Sequence, residues 1–135
     1  MNKKVLHTTN LTIGYKNKSN TTTIAKNLNI NLPAGKLIGL IGANGIGKST
    51  LLKTITGILK PLEGKVFINE KSIENFKPED LAKELSIVLT EHLPPSNLSV
   101  YEIVALGRQP YTNWLGKLAS EDKNKIDEAI TLTEI

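Results

Sequence analysis

"LIGLIGANGIGKSTLLKTITGIL", residues Leu37–Leu59, sets three loop glycines, a lysine and two hydroxyls between two apolar runs. Ordering glycine costs backbone entropy, and a lysine held in a turn loses hydration. The arrangement is useful if the turn grips an anion. Gly42, Gly47, Lys48 and Ser49 satisfy G-x-x-x-x-G-K-[ST]. The preceding "KLIGLIG" reads as a strand buried on both faces. After the loop, Leu51, Leu52, Ile55, Ile58 and Leu59 recur at helical spacing, with Gly57 near the end and Pro61 as the stop.

A glycine loop between a strand and a helix is the setting that a phosphate-binding loop requires. In the loop Gly42, Ala43, Asn44, Gly45, Ile46 and Gly47, the glycines let the backbone turn tightly and aim several N–H groups at one point. The helix that begins near Lys48 adds unpaired amides and the positive end of its dipole. Lys48 is predicted to reach the β- and γ-phosphates, Ser49 to ligate Mg²⁺, and Thr50 to sit beside the α-phosphate end. The plainer reading is a glycine turn with a solvated lysine. A chance match in a chain of this length has a probability under about 1% at ordinary residue usage, which favours the phosphate site. The spacing does not separate ATP from GTP.

The remaining composition sets bounds. The 135 residues are 39% hydrophobic and 22% charged, enough to build a core. Aromatics make up only 4%, so that core rests on Ile, Leu and Val. The chain has no cysteine, which excludes disulfides and thiolate metal sites. Its net charge of +4 comes from lysines spread along the chain, a solvated surface rather than the clustered face of a nucleic-acid binder. The N-terminus lacks a signal-peptide core, and no apolar run reaches membrane-spanning length. A soluble protein is expected, with any membrane association coming through a partner.

Along the chain, "VLHTTNLTIGY" and "TIAKNLNINLP" flank a polar tip and read as a hairpin. "GKVFINEKSI" reads as a strand, "KPEDLAKEL" as a short helix and "LSIVLT" as a short strand. Ser99, with Glu102 three residues on, forms a capping box for "VYEIVALGR". "QPYTNWLGKLA" reads as loop. Ser120, Glu121 and Asp122 open a last helix with Ile126, Ala129 and Ile130 on one face.

"IGANGIGKSTLLKTITGILKPLEGKVFINEK" resembles the ATP-binding subunit of ABC transporters, where the loop helix leads into G-x-x-x-P-x-x-G-x-V, here Gly57, Pro61, Gly64 and Val66. The resemblance implies an α/β fold, a P-loop NTPase of the ABC type. It implies an antiparallel β subdomain, an incomplete parallel core sheet and the start of the helical subdomain. Residues 1–90 would hold the β subdomain and the phosphate-loop core, and residues 91–135 the Q-loop region and the first part of the helical subdomain. Tyr15 stands where the family places an aromatic that stacks on adenine, and since the family is ATP-dependent the resemblance implies ATP as the ligand. Without the resemblance, Tyr15 reads as a strand-end tyrosine packing on its neighbours.

"LSVYEIVALGRQPYTNWLGKLASEDKNKIDEAI" is similar to the subfamily that energises uptake of ferric siderophores, haem and cobalamin. The partners this implies are Mg-ATP, permease subunits met through the Q-loop and helical region, and a second ATP-binding subunit as a homodimer. Nucleic acid is not among them. The location implied is cytoplasmic, on the inner face of the membrane. "PPSNLSVYEIVALGR" is then expected to line the groove for the permease's coupling helix, with Arg108 contributing to docking. The alternatives are a non-transport ABC ATPase of DNA repair or translation, and a nucleotide-binding module alone.

The sequence departs from the family twice. Where the Q-loop glutamine is expected, it has Thr90 followed by Glu91, either of which could reach a magnesium-bound water. No apolar run ending in Asp-Glu follows Gly107, and no Leu-Ser-Gly-Gly-Gln motif occurs. His7 and His92 both precede the position of the family's switch histidine. These 135 residues are therefore expected to supply the phosphate-loop half of a composite site. They would bind Mg-ATP with negligible turnover, contribute no catalytic residue and leave Lys48 to stabilise phosphate charge.

Overall fold

One long strand, β1 (Lys4–Lys16), pairs on both of its edges. The structure is a computed structural model that describes residues 4–88, 97–112 and 115–133. It separates into two compact units, Met1–Ile87 and Val88–Ile135.

In the first unit, β2 (Thr21–Leu28) and β3 (Asn31–Pro33) pair antiparallel with successive parts of one edge of β1. β4 (Glu63–Ile68) pairs antiparallel with the other edge and carries β5 (Lys71–Ser72) beside it. The expected hairpin is β1–β2. The break between β2 and β3 is stitched by the buried Thr8. Its hydroxyl donates to the Leu28 carbonyl at 2.8 Å and accepts from the Ile30 N–H at 2.9 Å. "GKVFINEKSI" resolves into the β4–β5 hairpin, because Asn69 and Glu70 both adopt positive φ and so form a tight turn that matches strand twist.

Leu11, Ile13, Val66 and Ile68 point from the sheet into the core, joined by Ile55 and Ile73. Burying a side chain such as Leu11, which has no exposed surface, stabilises the fold by about 1.5–3 kcal/mol. Helix α1 (Lys48–Ile55) packs onto this cluster through Leu51 and Ile55. It ends one turn earlier than the apolar spacing predicts. The chain turns at Gly57, with Ile58 exposed beyond it, and Leu52 is exposed within the helix. A short helix, α2 (Pro78–Glu84), begins with proline at its first position, where a missing N–H costs nothing.

Residues 36–42 do not form the strand expected of them. Leu37, Ile38, Leu40 and Ile41 are exposed, and no strand pairs with this segment among the described residues. The described part of "LSIVLT" is likewise unpaired, with Val88 exposed. An apolar run can favour a strand, but a strand needs a neighbour to receive its backbone hydrogen bonds. The parallel part of the expected sheet is thus present as apolar segments without a paired ladder, beside a complete antiparallel sheet.

In the second unit, α3 (Val100–Leu106) starts at the expected capping box. Ser99 Oγ accepts from the Glu102 N–H, and the Glu102 carboxylate accepts from the Ser99 N–H at 2.8 Å. The Ser99 hydroxyl and amide hold the Glu102 carboxyl below its ordinary pKa. "QPY", expected as loop, is a single 3₁₀ turn, Gln109–Tyr111. It leads toward α4 (Ser120–Thr133), whose Asp122 and Ile126 are buried.

Candidate phosphate-binding site

The predicted loop residues lie together, between the 36–42 segment and α1. Gly47 is the residue before the helix, with φ 107°. A side chain there would collide with the Ile24 methyl group of β2. Glycine is therefore required twice, by the left-handed backbone and by the close approach of β2. Through this contact the antiparallel sheet anchors the loop. The Leu51 N–H then bonds to the Gly47 carbonyl at 2.8 Å, the first closed turn of α1.

Lys48 folds back over the loop. Its ammonium donates to the carbonyls of Gly42 and Ala43, each at 2.8 Å. The positive charge thus sits against the start of the loop, at residues 42 and 43. Ser49, in the first turn of the helix, is exposed. No acidic residue occupies that turn. An ammonium, a helix N-terminus and no opposing carboxylate together favour a polyanion.

The donor set suits magnesium of one kind. Among the described residues no group of three His, Cys, Asp or Glu side chains could hold a metal ion alone. A cation here would rely on the Ser49 hydroxyl, water and the oxygens of a bound phosphate, the usual habit of magnesium.

Tyr15 and Thr50 also meet. The Tyr15 hydroxyl lies 3.0 Å from Thr50 Oγ1, while 45% of the tyrosine remains exposed. Tyr15 stands near the end of β1, opposite Thr22. The phenol and the third residue of α1 are thereby tied across 35 positions of sequence, a contact that neither residue's local pattern announces. Thr90 and Glu91, proposed in place of the Q-loop glutamine, lie outside the described residues.

Arg108, expected on a docking surface, has an internal partner that sequence reading missed. Its guanidinium holds Asp122 of α4. No fixed spacing links a helix-end arginine to a carboxylate fourteen residues later, so only the fold discloses the pair.

An apolar segment, a glycine turn and a helix opening on Lys-Ser define a phosphate-loop protein. The chain matches the ABC transporter family over residues 25–135. It is 45% identical to an uncharacterized ABC transporter ATP-binding protein of Methanocaldococcus jannaschii, across 93% of this chain and 42% of that protein. It is 40% identical to the iron(3+)-hydroxamate import ATP-binding protein of Bacillus subtilis, across 95% of this chain and 46% of that protein. Among solved structures, it superposes with a TM-score of 0.76 and 25% identity on a dimeric ATP-binding cassette bound to ADP and Pi, covering 96% of this chain and 57% of that one. The chain belongs to the ABC transporter family and has the fold of part of its ATP-binding cassette. It spans less than half the length of the curated relatives it matches. No helix among the described residues is long and apolar enough to cross a membrane.

Proposed function

We propose that the chain binds Mg-ATP at residues 42–50, as the phosphate-loop part of the ATP-binding subunit of an iron-chelate importer. The observation that carries this is the Lys48 ammonium folded back onto the Gly42 and Ala43 carbonyls of the glycine loop, with no acidic side chain in the adjoining helical turn. On nucleotide binding Lys48 exchanges its two carbonyl partners for β- and γ-phosphate oxygens, and Ser49 supplies a hydroxyl to Mg²⁺. Thr50 lies at the α-phosphate end, and Tyr15 offers its ring to the adenine. Thr90 and Glu91 are proposed to reach the magnesium shell in place of the missing glutamine.

The transported class is inferred from "EIVALGRQPY" and from relatives whose names specify iron uptake, the Bacillus subtilis protein among them. The complete assembly is proposed to pair two such subunits beneath permease subunits on the cytoplasmic face of the membrane. These 135 residues carry no apolar run ending in Asp-Glu after Gly107, so their own turnover should be negligible. The test is displacement of a fluorescent ATP analogue from wild type and from Lys48→Ala. Tight binding to wild type and at least about tenfold weaker binding to the variant is expected, since an ammonium–phosphate contact contributes upward of 1.4 kcal/mol. Equal affinity would refute the site.

A further inference from the structure

We infer that the hydroxyl of Tyr15 is a positioning group, which Thr50 holds so that the phosphate loop and the base-side ring are set together; this rests on the ATP reading above. Thr50 Oγ1 lies 3.0 Å from the phenol oxygen. Thr50 itself is fixed from below, since it is 5% exposed and its carbonyl accepts a 2.8 Å bond from the hydroxyl of the fully buried Thr54. Tyr15 is held by backbone pairing to Thr22 at one end, yet 45% of it is exposed. A half-exposed aromatic at a strand end is free to change rotamer. Fixing its far oxygen leaves one ring orientation and an open surface for a base. The anchor is a residue of α1's first turn, the same turn that presents Lys48 and Ser49. Ring orientation is thus linked to loop geometry before any ligand arrives, which removes an ordering cost from binding.

The link predicts an effect confined to ligands that carry a base. Wild type, Tyr15→Phe, Thr50→Val and the double variant are titrated calorimetrically with Mg-ATP and with Mg-tripolyphosphate, which has no base. Circular dichroism checks that each is folded. Tyr15→Phe keeps the ring and loses only the oxygen. It is expected to weaken Mg-ATP about three- to tenfold, the scale of immobilising one side chain, and to leave tripolyphosphate affinity as it was. In the Thr50→Val background, adding Tyr15→Phe should not change the ratio of the two affinities further. The inference is overturned if Tyr15→Phe binds Mg-ATP like wild type, if it loses both ligands equally, or if the two substitutions act independently on the ratio. Wild type that binds neither ligand overturns the ATP reading and this inference with it. Wild type that binds while Tyr15→Phe is indifferent overturns this inference alone.

Discussion

Arg108 grips Asp122 with two nitrogens of its guanidinium, Nε at 2.9 Å and Nη2 at 2.8 Å from the same carboxylate oxygen. The other carboxylate oxygen accepts the Ala119 N–H at 2.9 Å. The arginine also lies over the Tyr111 ring, 4.1 Å from its centre. One side chain thereby fastens the end of α3, the 3₁₀ turn and the start of α4. Arg108→Glu would strip a buried carboxylate of its partner and set a like charge against it. The helical unit should melt lower by about 5 °C or more, and Arg108→Lys should fall between, because an ammonium cannot reproduce the fork. Thermal circular dichroism checks this. A charge reversal with unchanged melting would restore Arg108 to a purely docking role.

The same pair gives a pH dependence. The Ala119 amide and then the Arg108 guanidinium hold the Asp122 carboxyl below its ordinary pKa. The folded-state value is depressed, so the contribution is fully present above the unfolded carboxyl's value, near pH 4. It is lost as the pH falls through the lower folded value. Helical signal should therefore hold down to about pH 4 and decline below it, and Asp122→Asn should flatten that decline while lowering stability at neutral pH. Acid titration of wild type and variant followed at 222 nm distinguishes the two profiles. Superimposable curves would contradict the account.

Two glycines of the phosphate loop should differ in their tolerance. Gly45 has φ 80° with open space around the position of a side chain, whereas Gly47 has φ 107° and Ile24 against it. Gly45→Ala meets backbone strain alone, about 1–2 kcal/mol. Gly47→Ala adds a collision with β2, and should weaken Mg-ATP more than Gly45→Ala does. Comparable affinities in the two variants would show that the Ile24 contact does not set the loop.

The exposed run Leu37, Ile38, Leu40 and Ile41 bears on solution behaviour. An unpaired apolar segment is a template for association with another chain. Sedimentation velocity of the 135-residue chain should show self-association that grows with concentration and recedes in a Leu37→Lys, Ile41→Lys double variant. A wild type that stays monomeric across the range would count against it.

The glycine turn and the start of α1 at Lys48 were legible because their signals are local. Gly42 to Ser49 fall within one turn and one helix start, and each residue type has a reason at its position. The capping box of Ser99 and Glu102 was legible on the same ground. Periodicity overstates the length of α1, since the spacing of Ile58 and Leu59 continues past Gly57, where the backbone turns. The apolarity of "KLIGLIG" suggests a buried strand, yet a ladder depends on partners that apolarity does not name. The Tyr15–Thr50 and Arg108–Asp122 pairs join positions distant in the chain. Nothing in either local sequence marks them, and only the folded arrangement brings them within hydrogen-bonding distance.

The central claim is that main-chain amides of residues 42–47 and the Lys48 ammonium grip a triphosphate. Isothermal titration of the folded chain with Mg-ATP tests it most directly. A saturable heat at one site per chain is expected, abolished or strongly reduced in Lys48→Ala. No heat of binding from a sample that circular dichroism shows to be folded would contradict it.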